Sequence, residues 1–325
     1  MKAKIAAIEY FLAQNSEDNE QLEKNNPEWD MKKIQSKTGI YKRWIVSENE
    51  TAMDLAIKAS KKLLHKTENI KIDTLIYVTQ SQDYFLPTSA CILQDKLNLQ
   101  TNIKSFDINQ GCSGYIYGLS MASSLIESLE SKNVLLVCAD TYSKYINQND
   151  RSTKPIFSDG ASATLITSSN QNDIGPFLFG TDGSKYNKLI VEEGASKNNY
   201  KKTNIKPSIY MDGPGIFLFT LNSVPQNILS LLDKSKTKIE LVDKFIFHQA
   251  SKLIIEELSD KLKIDSNKVP INLKNIGNTV SSSIPILLKD TYDENALNEN
   301  DLLLLSGFGV GLSWGSCLIK WRNLI

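Results

Sequence analysis

Cys112 is the residue whose surroundings best suit nucleophilic chemistry. It stands between Gly111 and Ser113, immediately before a predicted helix over residues 113–130. The positive end of a helix dipole favours the thiolate, so the sequence predicts a lowered pKa for the Cys112 thiol. The remaining cysteines lie in apolar or strand-like runs, a pattern typical of small buried residues: Cys91, Cys138 and Cys317.

Two other residues could act on a substrate held near such a thiol. Of the two histidines, His65 lies among lysines on a predicted surface helix, whereas His248 ends an apolar run where a strand meets a helix. Asn278 follows a glycine, and its amide could donate a hydrogen bond to a developing oxyanion. Taken singly, a histidine at a strand end is somewhat more often a satisfied core residue, and an asparagine beside a glycine is usually a turn residue.

The elements that must position these residues alternate along the chain. Apolar runs predict buried strands at 75–80, 134–140, 163–169 and 244–250, and two more near the C-terminus, on either side of a glycine-rich loop. Helical periodicity is found at 53–66, 113–130, 225–234 and 251–263. This alternation predicts an α/β fold, and we divide it into two domains at 1–170 and 171–325.

Composition narrows the class of protein. The 325 residues include 37 basic and 37 acidic side chains, so no net charge attracts nucleic acid or an anionic membrane. The N-terminus lacks the apolar stretch of a secretion signal. The cysteines form no CxxC pair, so neither a zinc site nor a disulfide framework is predicted. We therefore expect a cytoplasmic protein without a bound metal and without a membrane or nucleic-acid partner.

Several motifs, in this order, resemble one family. They are GCSGYIYGL around Cys112, FHQAS around His248, NIGNTVSSSIP around Asn278 and the terminal FGVGLSWGS. Together they are similar to β-ketoacyl-acyl carrier protein synthase III. The resemblance implies a thiolase-like fold of two similar halves in layered αβαβα order, usually as a homodimer. It also implies a decarboxylating condensation in a specialised fatty-acid, polyketide or sugar-acyl pathway.

The resemblance also implies roles for individual residues. Cys112 would carry the acyl group, and His248 with Asn278 would bind the malonyl thioester carbonyl during decarboxylation. The backbone N–H groups of Cys112 and Val310 would form the oxyanion hole. The substrates would be thioesters of coenzyme A and of phosphopantetheine, so acyl-CoA, a malonyl thioester and acyl carrier protein are the expected partners. No further cofactor is implied.

The residues expected to contact the carrier depart from the family pattern. Ser251 replaces the usual asparagine after the histidine motif, and Lys252 stands near the place of the arginine that meets acyl carrier protein. Lys37 stands where arginine is common, and Leu86 begins the lip of the pocket on the dimer side. These departures favour a specialised condensing enzyme.

One further position concerns coenzyme A. Arg151 matches the arginine that flanks the adenine in the family, but the tryptophan of the opposite side is not matched, since Trp29 lies about four residues too early. Three other functions compete with decarboxylating condensation. One is acyl transfer without decarboxylation, another is a non-catalytic thiolase-fold scaffold, and the third is a papain-like protease, which also orders Cys, His and Asn.

Overall fold

Two β-sheets form the framework of the protein. The structure is a computed structural model that describes residues 1–68, 70–198 and 206–325. The strands in these ranges are, in chain order, β1 (Lys2–Leu12), β2 (Asn15–Asp18), β3 (Lys42–Ile45), β4 (Thr74–Val78), β5 (Lys104–Ile108), β6 (Asn133–Asp140), β7 (Gly160–Ser169), β8 (Ile174–Thr181), β9 (Leu189–Val191), β10 (Ile209–Met211), β11 (Lys244–Phe247), β12 (Leu302–Gly309) and β13 (Ser313–Lys320).

The strands pair within two separate parts of the chain. The first sheet has the order β1-β7-β6-β4-β5, with β4 parallel to β5 and β6, and with β7 antiparallel to β1 and β6. The second sheet has the order β11-β12-β13-β8. Short pairs join β2 to β3 and β9 to β10. Sheet membership changes between β7 and β8; the two-domain division at residue 170 stays a prediction.

The helices cover and separate the two sheets. They are α1 (Asn19–Asn25), α2 (Met31–Thr38), α3 (Ala52–Lys66), α4 (Ser89–Lys96), α5 (Gly114–Glu127), α6 (Gly213–Ser235), α7 (Lys252–Leu262), α8 (Leu273–Ile276) and α9 (Ser283–Asp293). Helix α3 packs outside the first sheet and α6 outside the second, whereas α5 and α9 contact strands of both sheets. The resulting order of layers is αβαβα, as the resemblance implies.

The central helix α5 has a sequence suited to burial on both sides. Its residues are apolar or small around most of its circumference, and Tyr115, Ile116 and Leu119 are fully buried. Gly307 of β12 faces the start of this helix, where a side-chain Cβ would lie 2.8 Å from the carbonyl oxygen of Cys112. The absence of a side chain at Gly307 therefore allows the second sheet to approach the backbone beside Cys112.

The helix predicted over residues 225–234 exists, but its predicted first residue is wrong. Helix α6 begins at Gly213, where Asp212 caps it by accepting a hydrogen bond from the Gly215 amide at 2.9 Å. Pro225 lies inside the helix and removes the hydrogen bond to the carbonyl of Leu221. The ammonium of Lys261 on α7 donates to that carbonyl at 2.8 Å, so the helix continues past the proline.

The other predicted helices agree with α3, α5 and α7 to within a few residues, and the predicted strands with β4, β6, β7, β11, β12 and β13. The prediction that Cys91 is buried is wrong, because Cys91 is exposed on α4, whereas Cys138 and Cys317 are buried in the core as predicted. The error at Cys91 arises because a single residue in an apolar run can still lie on the outer face of a helix.

One helix within the described ranges is long and apolar enough by composition to cross a bilayer. This helix is Gly213–Ser235, with a mean hydropathy of 1.3 over its most apolar window. Half of that window is buried inside the protein, where the helix packs against β8, β12 and β13. Burial of this kind is typical of a core helix.

Candidate active site

Cys112 lies in the turn that links β5 to α5. Ser113 is the N-cap of α5, so Cys112 immediately precedes the helix, as predicted. Its side chain is 5% exposed, and the backbone N–H of Val310 faces its sulfur. A side-chain Cβ at Gly309 would lie 2.7 Å from the sulfur, so only glycine leaves room for the thiol at this position.

His248 follows β11 and is held by groups of two other elements, β12 and α9. Its backbone N–H donates to the carbonyl of Ser306 on β12 at 2.8 Å. The imidazole is 1% exposed and meets the ring of Phe308 edge to face, with 5.6 Å between the ring centroids. Its Nδ1 lies 2.6 Å from the hydroxyl of Ser283, the first residue of α9. Of the two ring nitrogens, Nδ1 is therefore hydrogen-bonded to Ser283.

Asn278 is held in the loop between α8 and α9. Its backbone N–H donates to the carbonyl of Ile156, and its carbonyl accepts from the N–H of Ser158. The side-chain Oδ1 accepts a hydrogen bond from the amide of Val280 at 2.9 Å. Because the oxygen is engaged in this way, the amide NH2 of Asn278 is the group left to donate to a ligand.

These three residues line one cavity of about 500 Å³. Most of the remaining wall is apolar and comes from α6, from residues 156–157 and from β12; it includes Ile156, Phe157, Ile216, Phe217 and Phe308. A deep apolar cavity with a few convergent polar groups is the usual form of a small-molecule site. The structure thus places a thiol, an imidazole and a primary amide around one space.

Burial governs the protonation of the thiol and the imidazole. It raises the pKa of the Cys112 thiol to about 12, although the backbone N–H groups of Val310 and Cys112 oppose the rise. It lowers the pKa of His248 to about 3. The expectation of a lowered Cys112 pKa is therefore wrong, because the loss of hydration outweighs the helix dipole and the imidazole beside the thiol carries no charge.

Asp140 is a buried carboxylate behind Cys112 that the sequence analysis missed. Its oxygens accept hydrogen bonds from the Gln80 amide at 2.8 Å, the Ser281 hydroxyl at 2.5 Å and the Ser281 amide at 3.3 Å. Burial raises its pKa to about 7. These bonds tie the loop that carries Asn278 to the ends of β4 and β6 in the first sheet.

The residues predicted to contact the carrier are distributed more widely. Lys37 and Ser251 line the cavity of Cys112, and the Ser251 hydroxyl also caps α7 by accepting from the Ile254 amide. Lys252 is exposed and pairs with Glu256 at 3.5 Å. Leu86 borders a second cavity of about 880 Å³, which Val310 also lines.

Arg151 and the tryptophans do not form an adenine clamp. Arg151 is exposed in the turn after Asp150, and it lines neither of the two cavities. Trp29 is 5% exposed and packs with Leu22 in a small apolar cluster. The indole N–H of Trp44 donates to the carbonyl of Asn275 at 2.8 Å. Both rings are engaged elsewhere.

Sequence reasoning also missed the two side chains that touch His248. Ser283 belongs to the motif NIGNTVSSSIP, but a run of three serines gives no sign of which one reaches the imidazole. Phe308 lies in the terminal glycine-rich motif, where alternation along a strand could have placed it on the face opposite Gly307 and Gly309. Its contact with His248 depends on the parallel pairing of β11 with β12.

Fold and site together are those of a thiolase-fold enzyme whose main cavity holds a buried cysteine. Comparison with known proteins narrows this class. The model of the 3-oxoacyl-[acyl-carrier-protein] synthase III family matches residues 106–183, and the model of its C-terminal part matches residues 232–321. The chain belongs to the 3-oxoacyl-[acyl-carrier-protein] synthase III family.

Full-length relatives support this membership. The chain is 39% identical to β-ketoacyl-[acyl-carrier-protein] synthase III of Clostridium perfringens over 327 residues, covering 98% of this chain and 99% of the relative. It is 36% identical to the synthase of the same name from Campylobacter jejuni, covering 99% and 98%. The predicted family is thus confirmed.

Solved structures agree with the fold. A 3-oxoacyl-(acyl-carrier-protein) synthase III matches with a TM-score of 0.96 at 38% identity, covering 99% of this chain and 100% of that one. A 3-oxoacyl-(acyl carrier protein) synthase from Burkholderia xenovorans matches with a TM-score of 0.94 at 33% identity, covering 100% and 95%. The predicted thiolase-like fold is confirmed.

We predict that alkylation of Cys112 by iodoacetamide accelerates about tenfold for each pH unit between pH 6 and pH 9, with no plateau. Only the thiolate reacts, and a thiol with a pKa of about 12 stays mostly protonated over this range. Peptide mass spectrometry of a Cys91→Ser variant measures the rate without competition from the exposed thiol. A rate that levels off near pH 7 would show that the helix dipole outweighs burial.

Proposed function

We propose that the protein is an acyltransferase that condenses an acyl group carried on Cys112 with a malonyl thioester and releases carbon dioxide. The observation that carries this proposal is the convergence of Cys112, His248 and Asn278 on one apolar cavity. The family membership of the chain supports it. The product is a β-ketoacyl thioester, and the pathway is specialised fatty-acid, polyketide or sugar-acyl synthesis.

The first half-reaction moves the acyl group onto the enzyme. The Cys112 sulfur attacks the thioester carbonyl, the carbon–sulfur bond to the carrier breaks, and the departing thiol takes up the proton that Cys112 loses. The backbone N–H groups of Cys112 and Val310 form the oxyanion hole for the tetrahedral intermediate. Covalent capture divides one difficult condensation into two easier steps.

The second half-reaction generates the carbon nucleophile. As the malonyl carboxylate leaves as carbon dioxide, its electron pair forms an enolate whose negative charge lies on the thioester oxygen. His248 and Asn278 donate hydrogen bonds to this oxygen. The enolate carbon then attacks the acyl carbonyl, the bond to Cys112 breaks, and the released thiolate takes up a proton from water. Losing one such donor typically costs about 3 kcal/mol in the transition state.

The partners of this reaction are acyl-CoA, a malonyl thioester and acyl carrier protein, and we place it in the cytoplasm. Relatives are named for acyl carrier protein, which supports that partner. We propose a homodimer, because Tyr84, Phe85 and Leu86 expose 61%, 80% and 80% of their surface beside the second cavity. No metal or redox cofactor is assigned a role, since each step uses a thiol and neutral donors.

Two rival functions share the fold. Acyl transfer without decarboxylation needs only Cys112 and His248, whereas a non-catalytic scaffold needs none of the three site residues. The presence of Asn278 beside His248 favours decarboxylation, because it adds a second buried donor to the same cavity. Release of carbon dioxide from a malonyl thioester separates condensation from both rivals.

We predict that His248→Ala and Asn278→Ala slow malonyl decarboxylation by at least about a hundredfold, the scale of losing an oxyanion donor. Acylation of Cys112 should change much less, because backbone N–H groups serve that step. Carbon dioxide release and intact-mass acylation are measured on the same samples, with His65→Ala as the matched control, since His65 is exposed. If acylation slowed as much as decarboxylation, the assignment of His248 and Asn278 to decarboxylation would be wrong.

We also predict that Cys112 accepts a short acyl group faster from acyl carrier protein than from coenzyme A. The family clamp sandwiches adenine between arginine and an aromatic ring, and here Trp29 is buried elsewhere. A cation–aromatic contact is worth about 0.5–2 kcal/mol, so its loss should weaken the binding of coenzyme A by about threefold to thirtyfold. The measurement compares loading rates with one acyl chain on both carriers. Equal or faster loading from coenzyme A would contradict the prediction.

A further inference from the structure

Ser283 lies directly behind the imidazole of His248. It is the first residue of α9 and is 2% exposed, and its hydroxyl oxygen is 2.6 Å from Nδ1 of the ring. The backbone N–H of Gln249, the residue after His248, donates to the same hydroxyl oxygen at 3.4 Å. The hydroxyl therefore contacts both the ring and the chain that carries it.

The hydrogen bonds of this hydroxyl determine where its proton points. A serine hydroxyl has one hydrogen to donate and lone pairs to accept with. The Gln249 amide can only donate, so it uses a lone pair of the oxygen. Across the described ranges, Nδ1 of His248 is the one acceptor within hydrogen-bond distance of the Ser283 hydroxyl. The Ser283 proton must then lie on the bond to Nδ1.

An Nδ1 that accepts a hydrogen bond carries no proton of its own. A neutral imidazole has one N–H, so the proton of His248 is on Nε2. Burial keeps the ring neutral, since it lowers the pKa of His248 to about 3. The ring thus presents an N–H donor at Nε2, whereas the opposite tautomer would present a lone pair there.

We propose that Ser283 is a positioning residue that holds neutral His248 in its Nε2–H tautomer and so makes it a hydrogen-bond donor to the thioester oxygen. The tautomer follows from the hydrogen bonds alone, and its use in decarboxylation rests on the proposed function. A lone pair at Nε2 would repel the negative charge that develops on this oxygen. Fixing the tautomer before the substrate arrives is a form of electrostatic preorganisation.

The chain is well suited to a direct measurement of the tautomer. It has two histidines, and His65 is exposed, so a His65→Gln variant leaves one labelled imidazole. Long-range proton–nitrogen NMR correlations in this variant, labelled with 15N-histidine, show which ring nitrogen of His248 carries the proton. We expect the neutral Nε2–H form. A proton on Nδ1 would overturn the proposal without any change to Ser283.

Substitution of Ser283 tests what the tautomer does. Ser283→Ala should mix the two tautomers and slow malonyl decarboxylation by about tenfold or more, the scale of one hydrogen bond, while acylation of Cys112 stays close to normal. Ser283→Thr keeps the hydroxyl and should restore the Nε2–H form. Ser282→Ala is the matched control, because the Ser282 hydroxyl is equally buried and donates at 2.8 Å to the carbonyl of Cys138 instead.

The outcomes separate the positioning role from the proposed function. Decarboxylation slowed to the same extent in Ser282→Ala and Ser283→Ala would overturn the proposal, since general loosening would then explain both. An unchanged tautomer and rate in Ser283→Ala would also overturn it. A protein that releases no carbon dioxide, yet whose His248 tautomer depends on Ser283, would contradict the proposed function and support the positioning role.

Discussion

The close approach of strand β12 to the start of helix α5 is the contact on which the site depends. A Cβ at Gly307 would lie 2.8 Å from the Cys112 carbonyl, and one at Gly309 would lie 2.7 Å from its sulfur. Without side chains at these two positions, the second sheet brings the Val310 amide to the thiol and Phe308 to the imidazole. Cys112 lies after β5 of the first sheet, whereas His248 follows β11, and Phe308 belongs to β12, in the second.

A second consequence of this contact is that the three polar groups at the centre of the site carry no charge. Burial keeps the Cys112 thiol and the His248 imidazole neutral, and Asn278 is neutral by nature. Fixed neutral donors stabilise charge only when it develops, which is the condition for accelerating a reaction and not merely binding its substrate. The Asp140 carboxyl does not line this cavity, and its oxygens accept hydrogen bonds from Gln80, Ser81 and Ser281.

The sequence was most informative where chemistry is local. A cysteine before a helix, a histidine after a strand and an asparagine in a tight loop could be found from motifs, and so could the αβαβα layering. The pKa of Cys112 could not, because it depends on how completely distant segments exclude water from the thiol. The roles of Ser283 and Asp140 were also hidden, since both bond to residues far away in the chain.

The central claim is that the buried Cys112, rather than the exposed Cys91, is the nucleophile of the enzyme. The most direct test is to incubate the protein with a short-chain acyl thioester at neutral pH and map the adduct by peptide mass spectrometry. The geometry predicts one acyl group, on the Cys112 peptide, because the backbone N–H groups of Cys112 and Val310 face that sulfur and can receive the oxyanion. An adduct on Cys91, or no adduct on Cys112 with any thioester offered, would contradict the account.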